Sequence, residues 1–139
     1  MDQKLIEISA YGEAGYKPIV DFGTWRVAML NYIDDLQPER IDNMQRHDQT
    51  DEVFVLLSGH CILFAGDGQA EVGKIQAVNM QPLRAYNVKH GVWHSHTLNG
   101  EGSVLIVENL DTIDDNSPTR MLTPTEREQI IQLTHELWG

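Results

Sequence analysis

The stretch Gln45-Arg46-His47-Asp48-Gln49-Thr50-Asp51-Glu52-Val53-Phe54-Val55-Leu56-Leu57-Ser58-Gly59 changes character halfway along. Up to Glu52 it is polar. From Val53 to Leu57 it is apolar without a break, and it stops at Ser58-Gly59. A short apolar run of β-branched and aromatic residues, closed by turn residues, predicts a β-strand over 52–57. The next run, 60–65, begins directly after the glycine turn, which predicts a hairpin between the two.

Upstream, strand-like runs lie at 5–9 and 19–22, and 24–33 alternates. Trp25, Val27, Met29 and Asn31 share one of its faces, and Arg26, Ala28, Leu30 and Tyr32 share the other. Asp34-Asp35 and Gln37-Pro38 break this run before an extended segment at 41–47. Downstream, Gly66-Asp67-Gly68 is a turn, and 72–80 reads as strand from its β-branched residues. Runs at 86–88, 92–98 and 104–108 complete the set, with Asn99-Gly100-Glu101-Gly102 as a tight turn between the last two. Many short strands with glycine-rich turns, and no alternation with helices, predict a sandwich or barrel.

The C-terminal stretch differs. Thr123-Pro124-Thr125-Glu126 supplies a capping Thr, Pro at the first helical position and Glu at the third. Ile130, Ile131, Leu133, Thr134 and Leu137 then form an apolar face, so 124–138 is a helix, expected to pack on the outside of the barrel or on a partner subunit. Residues 111–118 read as an acidic connection with no core signal. Their aspartates lack the Gly and distal Glu of a calcium loop.

Side chains two apart on a strand share a face, so Gln45 goes with His47, and His94 with His96. Glu52 follows His47 after four intervening residues. Imidazole and carboxylate suit divalent iron, manganese, nickel, copper or zinc, and two His with one carboxylate form the facial triad of non-haem iron chemistry. A lone His on a strand is ordinarily a packing or surface residue, and His60, His90 and His135 are assigned that way. Trp25, Met29, Asn31, Arg26, Tyr32 and Tyr86 are candidates to line a cavity, although core packing is the ordinary role of each aromatic. Trp93 alternates with His94 and is expected to face away from the site. Cys61, in an apolar run, reads as a buried structural thiol.

The quoted stretch resembles the first motif of the cupins, a His-x-His pair followed by Glu and then Gly. His47, Glu52 and Gly59 match; Gln45 stands at the first His, and Glu39 at the opening Gly. Lys89-His90-Gly91-Val92-Trp93-His94 resembles the second motif, Pro-x-Gly-x-x-His. Gly91 and His94 are in place, while Lys89 replaces the Pro, Leu83 the first Gly and Leu98 the terminal Asn. The resemblance covers 39–98 by motif and the rest by strand pattern. It implies an all-β cupin jelly-roll barrel (a double-stranded β-helix) with one C-terminal α-helix. That is a single domain over 1–139, with the core barrel near 19–110. It also implies a divalent transition metal held by His47, Glu52 and His94. The usual site has three His and one Glu. Gln45, through its amide oxygen, or His96 would complete it here, and a metal-free polar pocket is the alternative. Cupin barrels commonly pair by sheet extension, so a homodimer is expected.

Composition narrows the partners. The chain has 139 residues, 41% hydrophobic and 22% charged, as expected of one globular domain. Its 21 acidic and 10 basic residues give a formal charge of −11, which repels phosphate backbones and anionic lipid, so neither nucleic acid nor membrane is expected as a partner. A single cysteine excludes an intramolecular disulfide. The N-terminus lacks a signal-peptide pattern, and a cytoplasmic location is expected. The expected function is a metal-dependent enzyme acting on a small polar metabolite, of oxygenase, isomerase or lyase type. Glu52 would shuttle a proton if the metal does not claim it. The alternative is a non-catalytic module binding a sugar or organic acid, which the missing motif His favours.

Overall fold

The computed structural model describes residues 1–139. Its strands are β1 (Gly15–Phe22), β2 (Trp25–Asn31), β3 (Asn43–Gln45), β4 (Glu52–Ser58), β5 (Cys61–Gly66), β6 (Ile75–Asn79), β7 (Tyr86–Val88), β8 (Trp93–Leu98), β9 (Ser103–Asn109) and β10 (Thr119–Met121). One helix, α1 (Pro124–Trp138), follows them. The strands form two five-stranded antiparallel sheets, in the orders β1-β2-β9-β4-β7 and β10-β3-β8-β5-β6. The all-β jelly-roll class is therefore observed. No helix is long and apolar enough to cross a membrane.

Two apolar cores lie on opposite faces of the second sheet. Between the sheets, Ala28, Leu30, Phe54, Leu56, Val104 and Ile106 from the first sheet pack against Cys61, Leu63 and Leu98 from the second. The register places Ala28 beside Ile106, and Leu30 beside Val104. On the outer face, Met44, Ile62, Phe64 and Trp93 pack under Leu122 and Ile130. That second core explains α1. Its Thr123 hydroxyl accepts from the Glu126 N–H at 3.1 Å, and the Glu126 carboxylate accepts from the Thr123 N–H at 2.9 Å, the reciprocal cap read from the sequence. The helix seats Ile130 and Thr134 against the barrel. Trp93 faces away from the site as expected and is buried in this outer core.

The structure corrects several local readings. Residues 5–9 form no strand: Leu5, Ile6 and Ile8 are exposed, and the only backbone bonds there close a turn onto Asp2. Their alternation has no sheet to bury against. The segment ending at Gly59 is not a hairpin, because β4 pairs with β7 and β9 while β5 pairs with β6 and β8. The chain crosses from one sheet to the other at Gly59, whose φ is 65° and where an added Cβ would lie 2.5 Å from the Glu101 backbone. Residues 99–102 make the same crossing between β8 and β9. Turn residues report where the chain reverses, and do not say which strand it will then pair with. Val53 and Val55 point out of the barrel and are half-buried, so only Phe54 and Leu56 of that run fill its interior. Leu83, where the second motif has Gly, adopts a φ of 67°, a left-handed conformation that costs a branched side chain strain.

Candidate metal and ligand site

Glu52 opens β4 and turns inward. His94, second in β8, turns inward from the opposite sheet. His47 lies just past β3, where backbone bonds clamp the chain: Gly91 N–H to His47 O at 2.8 Å, Arg46 N–H to Pro118 O at 3.1 Å and Asp48 N–H to Asn116 O at 3.0 Å. The potential ligand atoms of His47, Glu52 and His94 all lie within 4.8 Å of one another, and all three residues are buried. The His94 Nε2 stands 3.0 Å from Glu52 Oε1, and the His47 Nε2 stands 3.4 Å from Glu52 Oε2.

The far side of each ring decides what this arrangement can hold. The His94 Nδ1 lies 3.0 Å from the Val92 carbonyl, which only accepts. The His47 Nδ1 lies 2.7 Å from the Ser117 hydroxyl, a group that donates or accepts and that also stands 3.1 Å from Asn116 Oδ1. The His94 Nδ1 is therefore the protonated one, and in a neutral imidazole its Nε2 is then a lone pair. A lone pair facing a carboxylate needs a positive charge beside it, supplied by ring protonation or by a cation among the three residues. A ring fixed through Nδ1 with Nε2 free is also the arrangement of metal-bound histidine. His47, Glu52 and His94 fit a metal ion on these grounds. Burial opposes charge on Glu52, but hydrogen bonds from His47 and His94 outweigh it and hold the carboxyl well below the ordinary range. Burial likewise opposes charge on His47, and Glu52 reverses the balance and raises its pKa.

Gln45 sits in register with His94 and lines the same cavity. Its amide N–H donates to the Ser117 carbonyl at 3.1 Å, which leaves the amide oxygen as the group it can offer. His96 shares the inward face of β8 but stands outside the three-residue cluster. Its ring tilts against Phe54, with centroids 5.6 Å apart, and its buried Nδ1 has no partner. Burial pushes its pKa down to about 4, so the ring is neutral near pH 7. His90 is exposed, and its ring meets Asp51 at 3.0 Å, away from the cluster.

Three residues of the site were not singled out from the sequence. Ser117 lies in the connection read as having no core signal, yet it is 3% exposed and orients His47. Glu108, in β9, is one step beyond the Val53–Val107 pair and so lies opposite Glu52, carboxylate beside carboxylate. Burial first, then Glu52, raises its pKa to about 7. Tyr16 donates to Glu108 Oε1 at 2.7 Å, and Arg26 donates to the same oxygen at 3.1 and 2.7 Å. Arg26 had signalled itself by sharing a face with Ala28 and Leu30. Of the other cavity candidates, Trp25 lies on the outer face of the first sheet and is exposed. Tyr32 and Tyr86 pack against the inner core.

Tyr16, Arg26, Gln45, His96, Glu108 and Ser117 line a cavity of about 330 Å³ that contains His47, Glu52 and His94. A hollow of about 680 Å³ lies on the other side of Gln45, His94 and His96, among Asp35, Glu39, Arg40 and Arg127. It reaches neither His47 nor Glu52, so the smaller cavity is the one that bears on the chemistry.

No family model matches the sequence, and no curated protein matches it. Solved structures do match. A cupin-2 domain-containing protein from Halorhodospira halophila superposes with a TM-score of 0.56 at 13% identity, covering 88% of this chain and 79% of its own. Uridine-bound Pac13 from Streptomyces, a nucleoside dehydratase, gives a TM-score of 0.56 at 11% identity, covering 87% and 92%. A cupin-2 domain-containing protein from Shewanella frigidimarina gives 0.53 at 18%, covering 71% and 84%. Likeness at these identities is a likeness of fold, and it agrees with the order of the two motifs and with the pairing of the ten strands: the fold of this chain is that of the cupins.

Proposed function

We propose that the chain is a metal-dependent enzyme acting on a small polar metabolite, with His47, Glu52 and His94 as the protein ligands. The observation that carries this reading is the placement of both Nε2 atoms against one buried carboxylate, at 3.4 and 3.0 Å, with each ring held from behind through its Nδ1. Three protein ligands leave positions open for a substrate oxygen, and a divalent transition metal (iron, manganese, nickel, copper or zinc) supplies Lewis acidity or redox capacity there.

The chain's own residues set the conditions for that chemistry. Ser117 and Val92 hold the imidazoles in one orientation. Phe54 and Ile106 form an apolar floor that limits water around the carboxylates. Arg26 offsets the second carboxylate. A cavity of about 330 Å³ sits at the small end of the range for ligand sites, which favours a metabolite over a polymer.

The test is elemental analysis of untagged protein beside His47→Ala and His94→Ala. Near-stoichiometric metal in the wild type, lost in both variants, is the expected result, and the metal's identity divides redox from Lewis-acid chemistry. A wild type that takes up none of the five metals on anaerobic reconstitution overturns the reading in favour of a metal-free binding module.

A further inference from the structure

The outer face of the first sheet belongs to neither core. Strand register lays six apolar side chains across it in two rows, Val27 beside Val107 beside Val53, and Met29 beside Leu105 beside Val55. None of the six packs in either core, and each is partly open to solvent. Phe22 and Trp25 extend the patch at the turn between β1 and β2, where their exposed rings lean together with centroids 6.4 Å apart.

The charge of this face sets it apart from the rest of the surface. The chain carries a net −11, yet the outward positions of the five strands hold no acidic residue. Their one cation is Lys17, whose ammonium lies 5.4 Å from the centre of the Tyr11 ring. Acids gather at the ends instead, Asp48 and Asp51 near Trp25, and Glu101 near Asn31. A charge-free apolar centre inside a polar rim is the anatomy of an interface. A basic partner needs acids here, and an acidic partner needs more than one cation. A second copy needs neither, because a two-fold axis sets the same apolar rows against themselves. Two chains so acidic also approach most readily through a face without acids.

The face alone is small. Its four long strands have about seven residues each. At strand spacings of ~4.8 Å and a rise of ~3.3 Å per residue they cover ~440 Å² in projection, against roughly 800 Å² per partner in a stable interface. The N-terminal arm can supply the difference. Asn31, on the outward side of β2, donates to the Tyr11 and Glu13 carbonyls at 3.0 and 2.7 Å, so the arm leaves the fold from this face. The hydrogen bonds of residues 1–9 all stay within that stretch, and Leu5, Ile6 and Ile8 are exposed.

We propose that the outer face of the first sheet is the contact between two copies of this chain, packed sheet on sheet about a two-fold axis, with the 1–10 arm of each copy laid across the other. Pairing through the free edge of β1 instead leaves both the face and the arm in water.

The test is sedimentation equilibrium of the full chain beside Leu105→Glu, Leu105→Lys, an equimolar mixture of these two, and a chain lacking residues 1–10. Leu105 is at the middle of β9, the central strand of the five, so the axis passes close to it. The wild type is expected to be a dimer at about 50 μM, since interfaces of standard size dissociate in the micromolar range or below. L105E and L105K are each expected to be monomers, and their mixture a dimer again, because unlike charges then meet. Removal of the arm is expected to weaken the dimer by about tenfold or more.

A monomeric wild type overturns the proposal and leaves the face to a different partner. A dimer that both Leu105 variants keep overturns it in favour of the β1 edge. A mixture that stays monomeric, or an arm deletion that leaves the affinity unchanged, overturns it as well. Should either Leu105 variant fail to fold by circular dichroism, Phe22→Ser combined with Trp25→Ser, both at exposed positions, takes its place, and the same weakening of the dimer is expected.

Discussion

Along the interior of the barrel, β4 turns in Glu52, Phe54 and Leu56, and β8 turns in His94, His96 and Leu98. β9 turns in Glu108, Ile106 and Val104, and β2 turns in Arg26, Ala28 and Leu30. Each of the four strands therefore begins polar at one end and finishes aliphatic at the other. The aliphatic end is dry and close-packed, with Leu98, Leu56 and Val104 at 1%, 5% and 0% exposure. The polar end holds two facing carboxylates, two imidazoles with their Nε2 atoms turned toward Glu52 and an unpartnered His96 Nδ1. Burying such groups weakens a fold unless a ligand repays the cost, and natural proteins carry them where function requires. One end of the same strands stabilises the barrel, and the other spends part of that stability on a site.

The largest effect is expected where the two ends meet. Phe54 is 1% exposed and floors the site. Phe54→Ala should lower stability by about 3–5 kcal/mol in urea denaturation, with metal retention falling alongside, because its ring also braces His94 and His96. His94→Ala at the polar end should cost about 2 kcal/mol in metal-free protein, since Glu52 keeps the His47 partner. The wild type should gain about 2.7 kcal/mol when metal is raised to a hundredfold over its dissociation constant, and the variant nothing. Equal stabilisation of both proteins by metal would place the ion elsewhere.

A smaller gain is expected from His96→Phe. It removes a buried nitrogen without a partner and adds apolar contact with Phe54, for about 1 kcal/mol of added stability at unchanged metal content. Loss of metal would show that His96 belongs to the ligand shell. Away from both ends, Leu83→Gly should add about 0.5–1 kcal/mol by relieving the left-handed backbone at a residue that is 98% exposed.

The smallest expected effect lies at Asp51, outside the cavity. The His90 backbone N–H, the Asn87 amide, the His90 ring and Lys89 hold its carboxyl below the ordinary range. A carboxylate favoured in the folded state contributes stability above its unfolded pKa of about 4 and loses it as pH falls below that value. Asp51→Asn should therefore flatten the decline in stability on acidification below about pH 4 and leave metal binding intact. An unchanged acid limb would show that these bonds are screened by solvent.

The alternation in 24–33, the unbroken apolar run of 52–57, the capping pattern at Thr123 and the spacing of His47, Glu52 and His94 were all legible in the sequence. Each depends on contacts between residues near in the chain, or on a short motif. The opposite was true of residues 5–9, where alternation alone suggested a strand that no sheet receives. It was true again at Gly59, where a turn signal could not say that the chain changes sheets.

The local pattern determined most of the strands, the inward face of 24–33, the helix and three of the polar residues turned into the barrel. Tertiary structure alone decided the neighbours of those three and brought Glu108 beside them. The Ser117 bond to His47 spans 70 positions, and the Arg26 and Tyr16 bonds to Glu108 span 82 and 92. Periodicity carries no information across such distances. Which side chains meet there is set by which strands pair and in what register, and that is settled by burying both cores at once.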